Sequence, residues 1–340
     1  MADLIIMRAD ATEDEINRVV EKIEKLGFKA HVSKGTERTI IGIIGDTREI
    51  SDEIFQILPG VSEVISILKE YKLASREFHP ENLIIDVNGI KIGEGYFVVM
   101  AGPCSVESKE QFLITGEFVK KCGAKILRGG VFKPRTSPYS FLGLGPEGLK
   151  ILKEVKEILG ISVVTEVLSP EEVEMVSEVS DILQIGTRNM FNYRLLQRVG
   201  KTDKPVLLKR NFSAKISEFL NCAEYILKEG NPNVILCERG IRTFDSEFTR
   251  NILDLSAIPI LKKETYLPVI VDPSHGTGKR DLVIPMSKAA IAAGADGLLI
   301  EVHPKPEEAL SDGYQSLTFD MFEKLMKEIE PFLKIMGKKI

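Results

Sequence analysis

The chain has 340 residues, 44% hydrophobic and 28% charged, enough to bury a barrel-sized core beside a smaller domain and too apolar for a disordered protein. Its formal net charge of −5 excludes general affinity for nucleic acid, so a concentrated positive field must be local and aimed at a small anion. No stretch is apolar for long enough to span a bilayer, the N-terminus lacks a secretory pattern, and the four cysteines have no close CxxC spacing; we expect a cytoplasmic protein with neither a membrane partner nor a disulfide framework.

In chain order, 4–7 reads as a strand and Thr12-Glu13-Asp14-Glu15 as a capping box opening an amphipathic helix to Leu26. Residues 28–33 and 39–44 follow as strands, 49–58 as a helix and 61–67 as a strand. The order βαββαβ is the ferredoxin-like plan, with both helices on one sheet face and the other face free to bind a ligand or to dimerise. Alternation puts His31 and Ser33 on one face of their strand, opposite Ala30 and Val32. We expect a small domain over 1–70, a polar linker over 71–82, and a second domain over 83–340 that opens with a hairpin turned by Asn88-Gly89 in type I′ geometry.

From residue 97 onward, apolar runs alternate with amphipathic helices: 97–101, 125–127, 162–165, 182–185, 206–208, 234–237, 269–271 and 297–300. The runs are unbroken, as strands of a buried parallel sheet are, and eight such units predict a (β/α)8 TIM barrel rather than a doubly wound sheet. Among the helices, Ser108-Lys109-Glu110-Gln111 reads as a capping box and Ser169-Pro170 as N-cap and first helical residue. The last helix presents Phe322, Leu325, Met326, Ile329 and Leu333 to the core.

Barrel active sites lie at the C-terminal ends of the strands, so the residues just after each run carry the chemistry. They are Cys104, Arg128, Glu166, Gln184 with Arg188, Lys209, Glu238 with Arg239, Asp272 with His275, and Glu301 with His303. After the second run, glycines 129 and 130 let backbone approach a ligand, Pro134 stiffens the loop between Lys133 and Arg135, and Thr136 and Ser137 add neutral donors. Arg128, Lys133, Arg135, Arg188, Lys209 and Arg239 converge on one mouth; two like charges about 8 Å apart repel by about 2 kcal/mol at an effective dielectric of 20, so the ligand must be strongly anionic. Cys104, His275, Glu301 and Asp312 form a second constellation, a thiolate, an imidazole and two carboxylates suited to a divalent metal with open positions. Spacing alone does not choose between His275 and His303.

Ala101-Gly102-Pro103-Cys104-Ser105, Leu127-Arg128-Gly129-Gly130, Lys133-Pro134-Arg135-Thr136-Ser137, Gln184-Ile185-Gly186, Leu208-Lys209-Arg210, Glu238-Arg239-Gly240 and Val271-Asp272-Pro273-Ser274-His275 together resemble the 3-deoxy-D-arabino-heptulosonate 7-phosphate (DAHP) synthase family. The resemblance covers the barrel, roughly 79–335, and the small domain resembles the ACT-like regulatory domain of one subgroup. It implies one divalent metal (manganese, iron or zinc) on Cys104, His275, Glu301 and Asp312, and phosphoenolpyruvate on Arg128, Lys133, Arg188, Lys209 and Arg239. Arg135, Thr136 and Ser137 would receive erythrose 4-phosphate; catalysis would fall to Cys104, Lys133, Glu166 and His275, with Glu166 and Lys133 managing protons near the attacking water. Relatives that use arabinose 5-phosphate carry Ala-Asn-Arg where this chain has Lys133-Pro134-Arg135. The rivals are that pentose as acceptor, a Schiff-base aldolase on Lys209 or Lys133, and a non-catalytic sugar-phosphate sensor. Feedback by tyrosine or phenylalanine through His31 and Ser33, and assembly as a homotetramer, complete the expectation.

Overall fold

The computed structural model describes residues 3–35, 38–45, 47, 50–65, 71–77, 79–135 and 137–340. They fall into two compact units, Met1–Lys72 and Leu73–Ile340.

In the first unit, strands β1 (Leu4–Met7), β2 (Lys29–Lys34), β3 (Thr39–Ile44) and β4 (Val61–Ile65) form one sheet in the order β2-β3-β1-β4. Helix α1 (Glu13–Lys25) begins at the expected capping box: Glu15 N donates to the Thr12 hydroxyl and Thr12 N to the Glu15 carboxylate. Ile16, Val19 and Ile23 of α1 and Phe55 of α2 (Glu53–Gln56) pack on Ile5, Met7, Ile41 and Ile43, so both helices cover one sheet face. His31 and Ser33 lie exposed. Helix α2 is a single turn where a run over 49–58 was expected. Ile50 and Leu58 reach the core from outside it, so the apolar spacing came partly from flanking residues.

The second unit opens against its own barrel. Leu73 N and Ala74 N both donate to the Glu224 carboxylate at 2.8 Å, and Arg76 donates to the carbonyls of Lys262 and Thr265. Strands β5 (Ile84–Val87) and β6 (Ile90–Gly93) form the expected hairpin, with φ of 53° at Asn88 and 88° at Gly89 as a type I′ turn requires.

The barrel strands are β7 (Val98–Gly102), β8 (Ile126–Arg128), β9 (Ser162–Val167), β10 (Ile182–Ile185), β11 (Val206–Lys209), β12 (Val234–Glu238), β13 (Val269–Val271) and β14 (Gly297–Glu301). All pair in parallel, and β14 pairs with β7 to close the ring. Around them run α3 (Lys109–Lys121), α4 (Pro146–Leu159), α5 (Val173–Ser177), α6 (Tyr193–Gly200), α7 (Ile216–Lys228), α8 (Ala257–Glu264), α9 (Pro273–Thr277), α10 (Arg280–Ala292) and α11 (Phe319–Ile335). Ile85, Val87 and Ile92 of the hairpin join the interior cluster of Val98, Met100, Ile126 and Ile182, and Asn88 donates to Ser162 Oγ and Asp181 Oδ1. The hairpin therefore plugs the end at which the strands begin, leaving the opposite end as the mouth.

Three local expectations change. Ser108 caps α3 by accepting from Gln111 N, but the Gln111 side chain reaches Glu107 N and Ser105 O instead of closing the box. Ser169 precedes a 3-10 turn, Pro170–Glu172, with no side-chain cap bond. On α11, Met326 is half-buried, unlike Phe322, Leu325, Ile329 and Leu333.

Candidate active site at the barrel mouth

Four of the chemistry-bearing residues end their strands instead of following them, and another lies one place short of its strand's end. Arg128, Lys209, Glu238 and Glu301 are the last residues of β8, β11, β12 and β14, and Glu166 is the penultimate residue of β9. Their side chains thus start from the rigid ladder, not from loops. A cavity of about 250 Å³ opens there, lined by Arg128, Lys133, Arg135, Arg188, Lys209 and Arg239, with Glu166, Gln184, His275 and Asp312 among them. All six expected cations line it.

Most of these cations are desolvated. Arg128, Lys133, Lys209 and Arg239 are at most 7% exposed, whereas Arg188 is exposed and makes no hydrogen bond among the described residues. Arg128 donates to Glu301 Oε1 at 2.9 Å and to the Pro103 carbonyl at 2.7 Å, but among the described residues its Nε has no partner, and neither has the buried Nε of Arg239. Burial pushes the Arg239 guanidinium below its ordinary range. Buried donors left without acceptors cost free energy that an anion can recover.

Cys104, His275, Glu301 and Asp312 present one ligand atom each, all within 4.8 Å of one another. His275 Nε2 is 3.3 Å from Glu301 Oε1 and 4.0 Å from Asp312 Oδ2, and Cys104 Sγ is 3.3 Å from Asp312 Oδ2. His303 is excluded from the group: its Nε2 is 3.4 Å from Glu107 and its Nδ1 accepts from Lys305 N. Burial, and then Glu301, push the Cys104 thiol up to about 12. Burial also pushes the Glu301 carboxyl up, but His275 and Arg128 outweigh it and hold it below its usual range. Two carboxylates, an imidazole and a thiol on so short a radius suit a divalent cation, which would draw the thiol to its thiolate.

The remaining polar groups brace this set. Lys133 Nζ is 3.0 Å from both the Cys104 carbonyl and Cys104 Sγ, and the methylene stem of Lys133 occupies the place a side chain at Gly130 would take. Gln315 Nε2 donates to Glu301 Oε2 at 2.5 Å. Asp272 Oδ2 is 2.7 Å from His275 Nδ1 and also accepts from Lys209 Nζ. Gly186 is required by contact: a Cβ there would lie 1.8 Å from Glu166 Oε1. Burial raises the Glu166 carboxyl above its usual range despite the nearby Lys133 and Lys209.

Other expected residues stand apart. Arg135 reaches the cavity, with Nε on the Phe141 carbonyl and Nη2 on Ser311 Oγ, but Ser137 is exposed, its hydroxyl accepting from Tyr139 N, and it does not line the cavity. Thr136 lies outside the described residues. Glu238 turns away to Arg210 Nη1 and Gly240 N, where it holds the loop after β12. Sequence reading missed Arg242, Arg250, Phe212 and Asn251, which also line the cavity. Arg242 stacks on Phe212 at 3.8 Å, and the bridge between Ile241 and Ile252 folds their loop back. The signal was two arginines in a long non-helical stretch after β12, beyond the one or two positions read at each strand end.

A family model described as DAHP synthetase I family matches residues 76–335, and one described as DAHP synthase ferredoxin-like domain matches 4–69. The phospho-2-dehydro-3-deoxyheptonate aldolase of Thermotoga maritima is 53% identical over 337 residues, 99% of each chain. The 2-dehydro-3-deoxyphosphooctonate aldolase of Geobacter sulfurreducens is 34% identical, spanning 72% of this chain and 96% of its own. The crystal structure of the Thermotoga maritima DAHP synthase superposes with a TM-score of 0.96 at 53% identity, over 99% of this chain and 98% of that one. A truncated form of the Thermotoga enzyme, 52% identical, covers 79% of this chain and 98% of its own, with a TM-score of 0.74.

Proposed function

The chain belongs to the DAHP synthetase I family, and from that premise we propose that it condenses phosphoenolpyruvate with erythrose 4-phosphate and water to give 3-deoxy-D-arabino-heptulosonate 7-phosphate and phosphate. The observation that carries the reading is the cationic cavity with two unpartnered buried guanidinium nitrogens, set beside four convergent ligand groups. It suits two phosphates and a carboxylate, at roughly 1.5–3 kcal/mol for each charge-assisted contact.

Arg128, Lys133, Arg188, Lys209 and Arg239 hold the enol phosphate and carboxylate, and Arg135 takes the phosphate of the aldose. Fixing both substrates aligns C3 of phosphoenolpyruvate with the aldehyde carbon, the positional part of the catalysis. Cys104, His275, Glu301 and Asp312 would hold the metal, which supplies a Lewis acid for the aldehyde oxygen. As the new C–C bond forms, positive charge develops at the enol carbon; water adds there, and C–O cleavage expels phosphate. Glu166, buried beside Lys133 and Lys209, is suited to take the proton of that water, and Lys133 to return one.

The small domain is then a feedback sensor for tyrosine or phenylalanine, with His31 and Ser33 on its exposed sheet face and a homotetramer as the working assembly. The acceptor is tested by phosphate release from phosphoenolpyruvate with erythrose 4-phosphate against arabinose 5-phosphate, before and after chelation. We expect the tetrose to be faster and chelation to abolish turnover until metal is restored. A faster pentose would move the chain to the other aldose; borohydride trapping of substrate on Lys209 would favour the Schiff-base route.

A further inference from the structure

Asp272 touches both constellations, and the reaction as derived gives it no part. It is wholly buried where β13 ends. Its Oδ1 accepts from His275 N at 2.9 Å, capping the short helix α9. Its Oδ2 lies 2.7 Å from His275 Nδ1 and also takes Lys209 Nζ. A single oxygen therefore holds one group assigned to the metal and another assigned to the phosphoenolpyruvate anion. With Nδ1 engaged by a carboxylate, the imidazole turns Nε2 into the ligand cluster, 3.3 Å from Glu301 Oε1.

We propose that Asp272 is a positioning residue that couples the two sites: phosphoenolpyruvate, by drawing Lys209 away from the shared oxygen, strengthens the hold of His275 on a divalent metal. The proposal rests on the metal and anion assignments made above. While Lys209 sits on Oδ2, its ammonium neutralises charge that would otherwise polarise the imidazole. An anion in the cavity gives Lys209 a second partner, leaving the carboxylate to His275 and making Nε2 a better donor. Linkage requires the reverse as well, so bound metal tightens phosphoenolpyruvate by the same factor. A purely structural Asp272 would need only Oδ1 as a helix cap, a bond that asparagine can also make.

The test is the Mn²⁺ dissociation constant of the full chain, measured by competition with a chromophoric chelator, with and without phosphoenolpyruvate and in the absence of any aldose. For the native chain we expect phosphoenolpyruvate to tighten Mn²⁺ by about 5-fold or more. Asp272→Asn should bind Mn²⁺ about 10- to 100-fold more weakly and lose the response to phosphoenolpyruvate, with an unchanged circular dichroism spectrum. Lys209→Met should bind Mn²⁺ at least as tightly as the native chain, since nothing then competes with His275 for Oδ2. A native constant indifferent to phosphoenolpyruvate, a response that survives in Asp272→Asn, or weakened Mn²⁺ binding in Lys209→Met would each overturn the coupling. Failure of the native chain to bind Mn²⁺ or any other divalent metal would instead overturn the site assignment beneath it.

Discussion

Glu166 is a carboxylate lodged among cations yet raised above its usual range, because loss of water outweighs the charges of Lys133 and Lys209. Below the ordinary carboxylate value both folded and unfolded chains carry the proton, and burial costs nothing in charge. Between that value and the higher folded one, the unfolded chain releases its proton first, so stability falls as pH rises. Glu166→Gln should therefore raise the melting temperature of the metal-free protein at pH 7 to 8 and leave it nearly unchanged at pH 4; an equal gain at both would remove titration as the cause. Gly186→Ala tests the same carboxylate from the other side, since its Cβ would fall 1.8 Å from Glu166 Oε1. We expect turnover to drop by 10-fold or more, on the order of a lost proton-transfer group, with metal content by elemental analysis unchanged.

At the scale of elements, the β5–β6 hairpin serves the barrel by closing its lower end. Ile92 is fully buried in the interior cluster, so Ile92→Ala should cost about 2–5 kcal/mol, read from denaturant midpoints, while KM values stay near native because the mouth is at the other end. This hairpin was legible because Asn88-Gly89 supplies the two positive φ angles a two-residue turn needs. The barrel strands were legible because, buried on both faces, they are unbroken apolar runs. Their true ends were harder to read. Arg128, Lys209, Glu238 and Glu301 continue the ladder with charged side chains, and hydropathy stops one residue before hydrogen bonding does. The four candidate metal-ligating residues were readable as chemistry, but only tertiary geometry separates His275 from His303, which Glu107 holds elsewhere. Arg242 and Arg250 were illegible because a folded-back loop, not strand register, brings them to the cavity.

For the whole molecule, the contact pattern divides the chain after Lys72. Each unit has its own buried cluster, Ile5, Val19 and Phe55 in the first and the plugged barrel in the second, so residues 73–340 should fold alone. That fragment should retain phosphate release from phosphoenolpyruvate and erythrose 4-phosphate and lose any inhibition that tyrosine or phenylalanine exerts on the full chain; inhibition that persists would move the effector site into the barrel. Closure of the ring by β14 on β7 bears finally on how the protein is made. The strand that opens the barrel waits about two hundred residues for its second partner, roughly 10–40 s at a ribosomal rate of 5–20 residues per second. Lys338 and Lys339, beyond α11, then tie the base, where Phe97 N donates to the Lys339 carbonyl and Lys338 Nζ reaches Asp296. During that wait β7 has an unpaired edge, and the nascent barrel depends on whatever shields it until β14 is made.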